Sequence, residues 1–276
     1  MFRTNSMSPA LRTAKAHREN GRPVQSDGGR SAGRDGNVAG RSGDDRAVVL
    51  SASGLAKTYR SWLPFSPDVE VLDGASVELR EGELVGIVGE NGSGKSTLMR
   101  ILVGALAADA GTVDRRGTIG WCPQEPILYD RLTVRETVDL FGEAYGLSAQ
   151  RREERLDWLS DRLGFTAHLD TRIDRLSGGN RQKVNLSVAL LHDPDVLLLD
   201  EPYTGFDWQT YLSFWELTEE LVEAGTAIGI ISHFVEDRDR FDRICALRDG
   251  RLERIEHGRE PEERSTGGRS GPREGG

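Results

Sequence analysis

The sequence predicts an α/β fold: a mostly parallel sheet covered on both faces, with one helical region inserted. Three observations lead there. Apolar runs of strand length at residues 84–88, 196–199 and 226–232 lack the alternation of a half-exposed sheet. Helical patterns at 96–106, 179–191 and 208–223 separate or follow them. A polar, arginine-rich helical stretch at 134–163 breaks the alternation of strand and helix and reads as the insertion.

Taken in order, alternating apolar positions mark strands at 47–50 and 76–79, followed by the buried-strand run at 84–88. A glycine-rich turn then opens the helix at 96–106. Beyond the inserted stretch, the helix at 179–191 leads into the apolar strand 196–199. Tyr211, Phe214, Trp215, Leu221 and Val222 form a stripe at helical spacing on 208–223, which assigns them to core packing. A hairpin-like pair, 243–247 and 251–255, closes the core.

With 276 residues, the chain is long enough for one large domain or two small ones and for a sizeable core. Hydrophobic residues make up 37% and charged residues 29%, as in a globular protein. No eighteen apolar residues run together, so no membrane-crossing helix is expected. Residues 1–46 lack the apolar stretch of a signal peptide, which argues for the cytoplasm. The two cysteines, Cys122 and Cys245, stand far apart, which excludes a disulfide scaffold or zinc module. A net charge of −9 argues against a nucleic-acid partner. Residues 1–46 hold nine Lys/Arg against five Asp/Glu and almost no aromatic or branched apolar residues. That segment, like the Gly/Glu/Arg-rich 257–276, is expected to be a disordered tail flanking a domain at 47–256.

Gly89-Glu90-Asn91-Gly92-Ser93-Gly94-Lys95-Ser96-Thr97 follows a predicted strand and opens a helix, the full spacing of a phosphate-binding loop. Its glycines let backbone N–H groups close around the β- and γ-phosphates, and the helix N-terminus adds a favourable dipole. Lys95 supplies a positive charge to phosphate oxygens and Ser96 a hydroxyl for Mg²⁺. An ordinary glycine-rich turn lacks this order of residues. Val196-Leu197-Leu198-Leu199-Asp200-Glu201 places Asp200 at the carboxyl end of a buried strand, where α/β sheets bind ligands. Asp200 there can hold Mg²⁺, and Glu201 can act as general base on water. Alone, the pair would read as a strand followed by a solvated acidic turn; beside the phosphate loop the functional reading prevails.

Leu176-Ser177-Gly178-Gly179-Asn180 precedes a helix, with Ser177 23 residues before Asp200. Together with the two earlier motifs it resembles the signature of the ATP-binding cassette (ABC) ATPases, and the resemblance covers roughly 47–255. That resemblance implies a P-loop ABC ATPase core with a mostly parallel sheet, an antiparallel β-subdomain and an inserted α-helical subdomain. It also implies two such domains joined head to tail, Ser177, Gly178 and Gly179 of each capping the ATP on the other. Tyr59 resembles the aromatic residue that stacks on adenine, although a plain strand residue remains open there. Gln124 resembles the glutamine that contacts Mg²⁺ and water, with a solvated loop residue as the alternative. Asp207, in Thr204-Gly205-Phe206-Asp207, resembles the residue that meets the opposite subunit. His233, 32 residues past Glu201, resembles the histidine on the γ-phosphate, with a core histidine as the alternative. Asn180 for the usual glutamine, and Tyr203-Thr204-Gly205-Phe206 for the commoner Thr-Ser-Gly-Leu, depart from the pattern.

The implied activity is hydrolysis of ATP with Mg²⁺. The region from Leu132 to Leu147 is similar to that of bacterial drug- and lipid-exporter ATPases of the multidrug/daunorubicin type. This implies a separate transmembrane permease, a second ABC ATPase domain, and a peripheral place on the cytoplasmic face of the plasma membrane. A soluble ABC ATPase in cofactor assembly or another non-transport process is the alternative.

Overall fold

The computed structural model of the chain describes residues 46–60, 67–232 and 238–255. The tails expected at 1–46 and 257–276 lie, but for Arg46, outside the described residues, as does His233. The order begins with two long strands, β1 (Val48–Tyr59) and β2 (Val69–Arg80), then β3 (Leu84–Val88) and helix α1 (Lys95–Val103). Next come β4 (Ala110–Arg115), β5 (Ile119–Cys122) and helices α2 (Val134–Ala144), α3 (Ala149–Arg162) and α4 (Gly178–Leu190). The chain continues through β6 (Val196–Asp200), α5 (Trp208–Glu223), β7 (Ala227–Ile231), β8 (Arg243–Arg248) and β9 (Arg251–Ile255).

Two sheets form. One has six strands in the order β5-β6-β7-β3-β8-β9, parallel except for the β8–β9 pair. The other has three antiparallel strands, β2-β1-β4. The apolar strands are buried because both faces of the larger sheet are covered. On β6, Leu197 and Leu199 join the cluster formed with Val184, Leu190, Phe214 and Trp215, while Val196 and Leu198 join Leu98, Met99, Leu55 and Leu79 on the other face. Helices α2–α5 thus cover one side, and α1 with the three-stranded sheet covers the other. Each fully buried leucine in these layers contributes roughly 1.5–3 kcal/mol.

The expected α/β class and both subdomains are present, and β3 and α5 keep their predicted limits. Differences lie where the hydrophobic pattern is faint. The strand expected at 47–50 runs on to Tyr59 through polar residues, with register shifts that interrupt its alternation. β4 was not anticipated, because nearly all of it faces solvent, and β5 is only four residues long. The helical stretch 134–163 is two helices. Gly146 turns left-handed (φ 74°) and the Ser148 side chain accepts the Arg151 N–H to start α3. Helix α1 ends at Val103, earlier than expected, with left-handed Gly104 as its cap.

Candidate nucleotide-binding site

The parallel pairing brings the carboxyl ends of β3, β5, β6 and β7 to one edge of the six-stranded sheet. Residues 89–94 leave β3 there and lead into α1. Gly94, the residue before α1, has φ 101°, and a Cβ on it would lie 2.5 Å from Val71 Cγ1. Only glycine fits both the conformation and the space. No side chain caps α1 and no acid occupies its first turn, so its N-terminal amide groups keep their positive character for an anion. Ser93 Oγ is shielded from solvent and, among the described residues, finds no hydrogen-bond partner. An uncapped helix start beside a buried, unspent hydroxyl fits a phosphate group.

Lys95 is 6% exposed, and its Nζ donates to the carbonyls of Gly89 at 2.7 Å and Glu90 at 2.8 Å. Burial pulls its pKa below the usual lysine range, and the negative charges of Glu201 and Asp200 oppose that shift. Loop lysine and strand-end acids therefore share one electrostatic environment. Asp200, the last residue of β6, is buried. Glu201 follows in a left-handed conformation (φ 49°), its N–H donating to Ile231 O at 3.1 Å.

Gln124 lies two residues beyond β5, whose Cys122 pairs with Leu199 of β6, so it leaves the same edge as Asp200. Its loop is anchored from α4, where Asn185 Nδ2 donates to Pro123 O at 2.9 Å. Tyr59 ends β1 half-exposed, its hydroxyl 3.3 Å from Thr97 Oγ1 in the first turn of α1. A ring beside the loop suits a stacking base. Cys122 is fully buried, and burial with the nearby Asp200 charge pushes its thiol far above the usual range, so it is inert.

Ser177 and its glycines begin α4, a different element from the one that carries the phosphate loop. The Ser177 hydroxyl accepts the Asn180 N–H at 3.2 Å. A Cβ on Gly179 would lie 2.5 Å from Gly205 O, so the glycine permits the turn after Glu201 to pack on the start of α4. Asp207 caps α5, accepting from Thr210 N at 2.9 Å and Thr210 Oγ1 at 3.0 Å. These bonds hold its carboxyl below the usual range. The stripe Phe214, Trp215 and Leu221 is buried, with Tyr211 and Val222 packed against it. Asn185 was not singled out in the sequence, although an amide inside an apolar helical pattern is a visible signal.

Mg²⁺ takes oxygen ligands and usually needs only one or two from protein beside substrate phosphates. The donors here, the Ser96 hydroxyl, the Asp200 carboxylate and the Gln124 amide oxygen, are of that kind. Among the described residues no three or more His, Cys, Asp or Glu gather to cage a metal.

Fold and site together define a phosphate-loop α/β domain built to hold a nucleotide at the carboxyl edge of a parallel sheet. The family model described as ABC transporter matches residues 72–204. The Nod factor export ATP-binding protein I of Paraburkholderia xenovorans is 36% identical over 194 residues, covering 66% of this chain and 64% of that protein. An uncharacterized ABC transporter ATP-binding protein of Methanocaldococcus jannaschii is 36% identical over 185 residues, covering 67% and 71%. The dimeric structure of MJ0796, a bacterial ABC transporter cassette, superposes with TM-score 0.68 at 27% identity, covering 74% of this chain and 97% of that one. The same cassette is also known in a post-hydrolysis state bound to ADP and Pi, with TM-score 0.68. The chain belongs to the ABC transporter ATP-binding proteins. It spans slightly under two thirds of the length of the Nod factor export protein.

Proposed function

We propose that this chain binds and hydrolyses ATP as the ATP-binding subunit of an exporter whose membrane-spanning permease is a separate chain. The observation that carries this reading is the meeting of the Gly89–Thr97 loop, Lys95, Asp200 and Glu201 at one sheet edge. Backbone amides of Gly89, Glu90, Asn91, Gly92, Ser93, Gly94, Lys95, Ser96 and Thr97 wrap the phosphates, and Lys95 turns its ammonium to the β- and γ-oxygens. Ser96, Asp200 and Gln124 would hold Mg²⁺, which would supply positive charge against the phosphate oxygens. Tyr59 stacks on adenine. Glu201 accepts a proton from the attacking water while Lys95 and His233 stabilise charge on the transferring group.

Ser177, Gly178 and Gly179 cap the ATP of a second ABC ATPase domain. ATP closes the two domains on each other and hydrolysis releases them, a cycle that does work only through a partner sensing the motion. Among the described residues no helix is long and apolar enough to cross a membrane. Peripheral placement on the cytoplasmic face follows from a permease partner, and export is supported by the names of the Nod factor relatives. The test is a tagged pull-down from detergent-solubilised native membranes with mass spectrometry. A stoichiometric multi-span protein is expected; a chain found wholly in the soluble fraction with soluble partners would end the transport reading.

A further inference from the structure

We propose that the Tyr203 hydroxyl positions Glu201 for hydrolysis, by clasping the turn that carries Glu201 to the end of β7 through Ser232. The proposal rests on the ATPase reading above.

Glu201 sits in a backbone region that a side chain other than glycine enters at a cost of order 1 kcal/mol or more. Such a conformation persists only where its surroundings hold it. Two links do so here. The Glu201 N–H donates to Ile231 O. Two residues further on, the Tyr203 hydroxyl hydrogen-bonds the hydroxyl of Ser232, 29 positions along the chain. Ser232 is a fixed point, because it is 2% exposed and its own N–H donates to Ile87 O of β3 at 3.2 Å. β3 is the strand from which the phosphate loop departs. The clasp therefore ties the turn that carries Glu201 to the strand that sets the phosphates, through one side-chain bond and one backbone bond.

The Tyr203 ring is itself locked. Its centroid lies 5.5 Å from Tyr211, 5.7 Å from Phe214 and 6.2 Å from Trp215, all on α5. Those ring contacts, edge-on to Tyr211 and Phe214 and tilted to Trp215, aim the hydroxyl, and they survive its removal. A threonine, common at this position in the family pattern, is too short to bring a hydroxyl so far from the turn. A misplacement of about 1 Å in a reacting group costs roughly 100-fold, so a partial loosening of the turn is expected to cost about 10-fold.

The experiment measures steady-state ATP hydrolysis by the purified full chain as wild type, Lys95→Ala, Tyr203→Phe, Ser232→Ala and the Tyr203→Phe/Ser232→Ala double variant. Binding of a fluorescent ATP analogue is measured on each. In Tyr203→Phe and Ser232→Ala, kcat is expected to fall about 10-fold with KM within about twofold and analogue binding unchanged. The double variant is expected to be no slower than the slower single, because one shared bond is lost only once. A wild-type kcat in Tyr203→Phe overturns the proposal. So do a raised KM at constant kcat, lost analogue binding, or losses that multiply in the double variant. Wild-type turnover no faster than that of Lys95→Ala would instead bring down the ATPase reading itself, and Tyr203 plays no part in that comparison.

Discussion

Helices α2, α3, α4 and α5 each begin under a side-chain cap, from Thr133, Ser148, Ser177 and Asp207, whereas α1 begins at Gly94 with none. The contrast separates two uses of the same backbone chemistry. A helix start has amide groups without internal partners, and a cap satisfies one or two of them at a gain of about 1 kcal/mol. The helical region takes that gain. Thr133 and Glu136 exchange bonds in a full capping box. The phosphate-loop edge gives it up: its helix start is open, its Ser93 hydroxyl is unspent and Glu201 is strained. At α2, α3 and α5 the closed amides serve stability, and at α1 the open ones are left to the loop's own site, whereas α4, capped by Ser177, is the start proposed to meet the partner's ATP.

The largest expected break of this contrast is Lys95→Ala. The open helix start keeps its dipole but loses the nearby ammonium, and ATP affinity measured by equilibrium binding is expected to fall by on the order of 100-fold or more. The Tm without nucleotide should change little, because the lysine's own partners are loop carbonyls. A smaller and differently placed effect is expected for Ser177→Arg. Nucleotide binding persists, since Ser177 lies on α4 and not on the loop, but ATP no longer produces a dimer in size-exclusion chromatography with light scattering. A Ser177→Arg protein that dimerised with ATP would remove the signature from the dimer interface. The smallest effect belongs to the helical region. Thr133→Ala should lower stability by about 1 kcal/mol, read as a reduced urea midpoint at constant m, with ATP affinity unchanged.

The two regions also differ in how much the sequence disclosed. The phosphate loop, Asp200 and Glu201 were legible because their chemistry is written in consecutive residues, and β3, β6 and β7 because strands buried on both faces are apolar throughout. β4 was illegible for the opposite reason: its side chains face solvent, so its strand state comes from pairing with β1 and leaves little trace in hydrophobicity. β5 is brief and contains Gly120, whose Cβ would strike Ala189 O at 2.2 Å; the close approach of α4 that requires glycine is a tertiary fact. The break between α2 and α3 at Gly146 and Ser148 had a local signal in its turn residues, overridden by the surrounding helical formers. Asp207 was expected to face a second subunit, and within the chain it spends its carboxylate on Thr210. Tyr203 stood out only as a departure from a pattern. Its partner Ser232 lies beyond a helix and a strand, a pairing that spacing alone cannot reveal.

Glu201→Gln tests the central claim most directly, in parallel measurements of ATP turnover and of mass by light scattering with and without ATP. The carboxylate is replaced by an amide of the same size, so binding and the held turn are preserved while proton acceptance is lost. Turnover is expected to fall by roughly 100-fold or more, and the protein to accumulate as an ATP-dependent dimer. Hydrolysis by Glu201→Gln at the wild-type rate would contradict the assignment of the general base and, with it, the account of this sheet edge as the catalytic one.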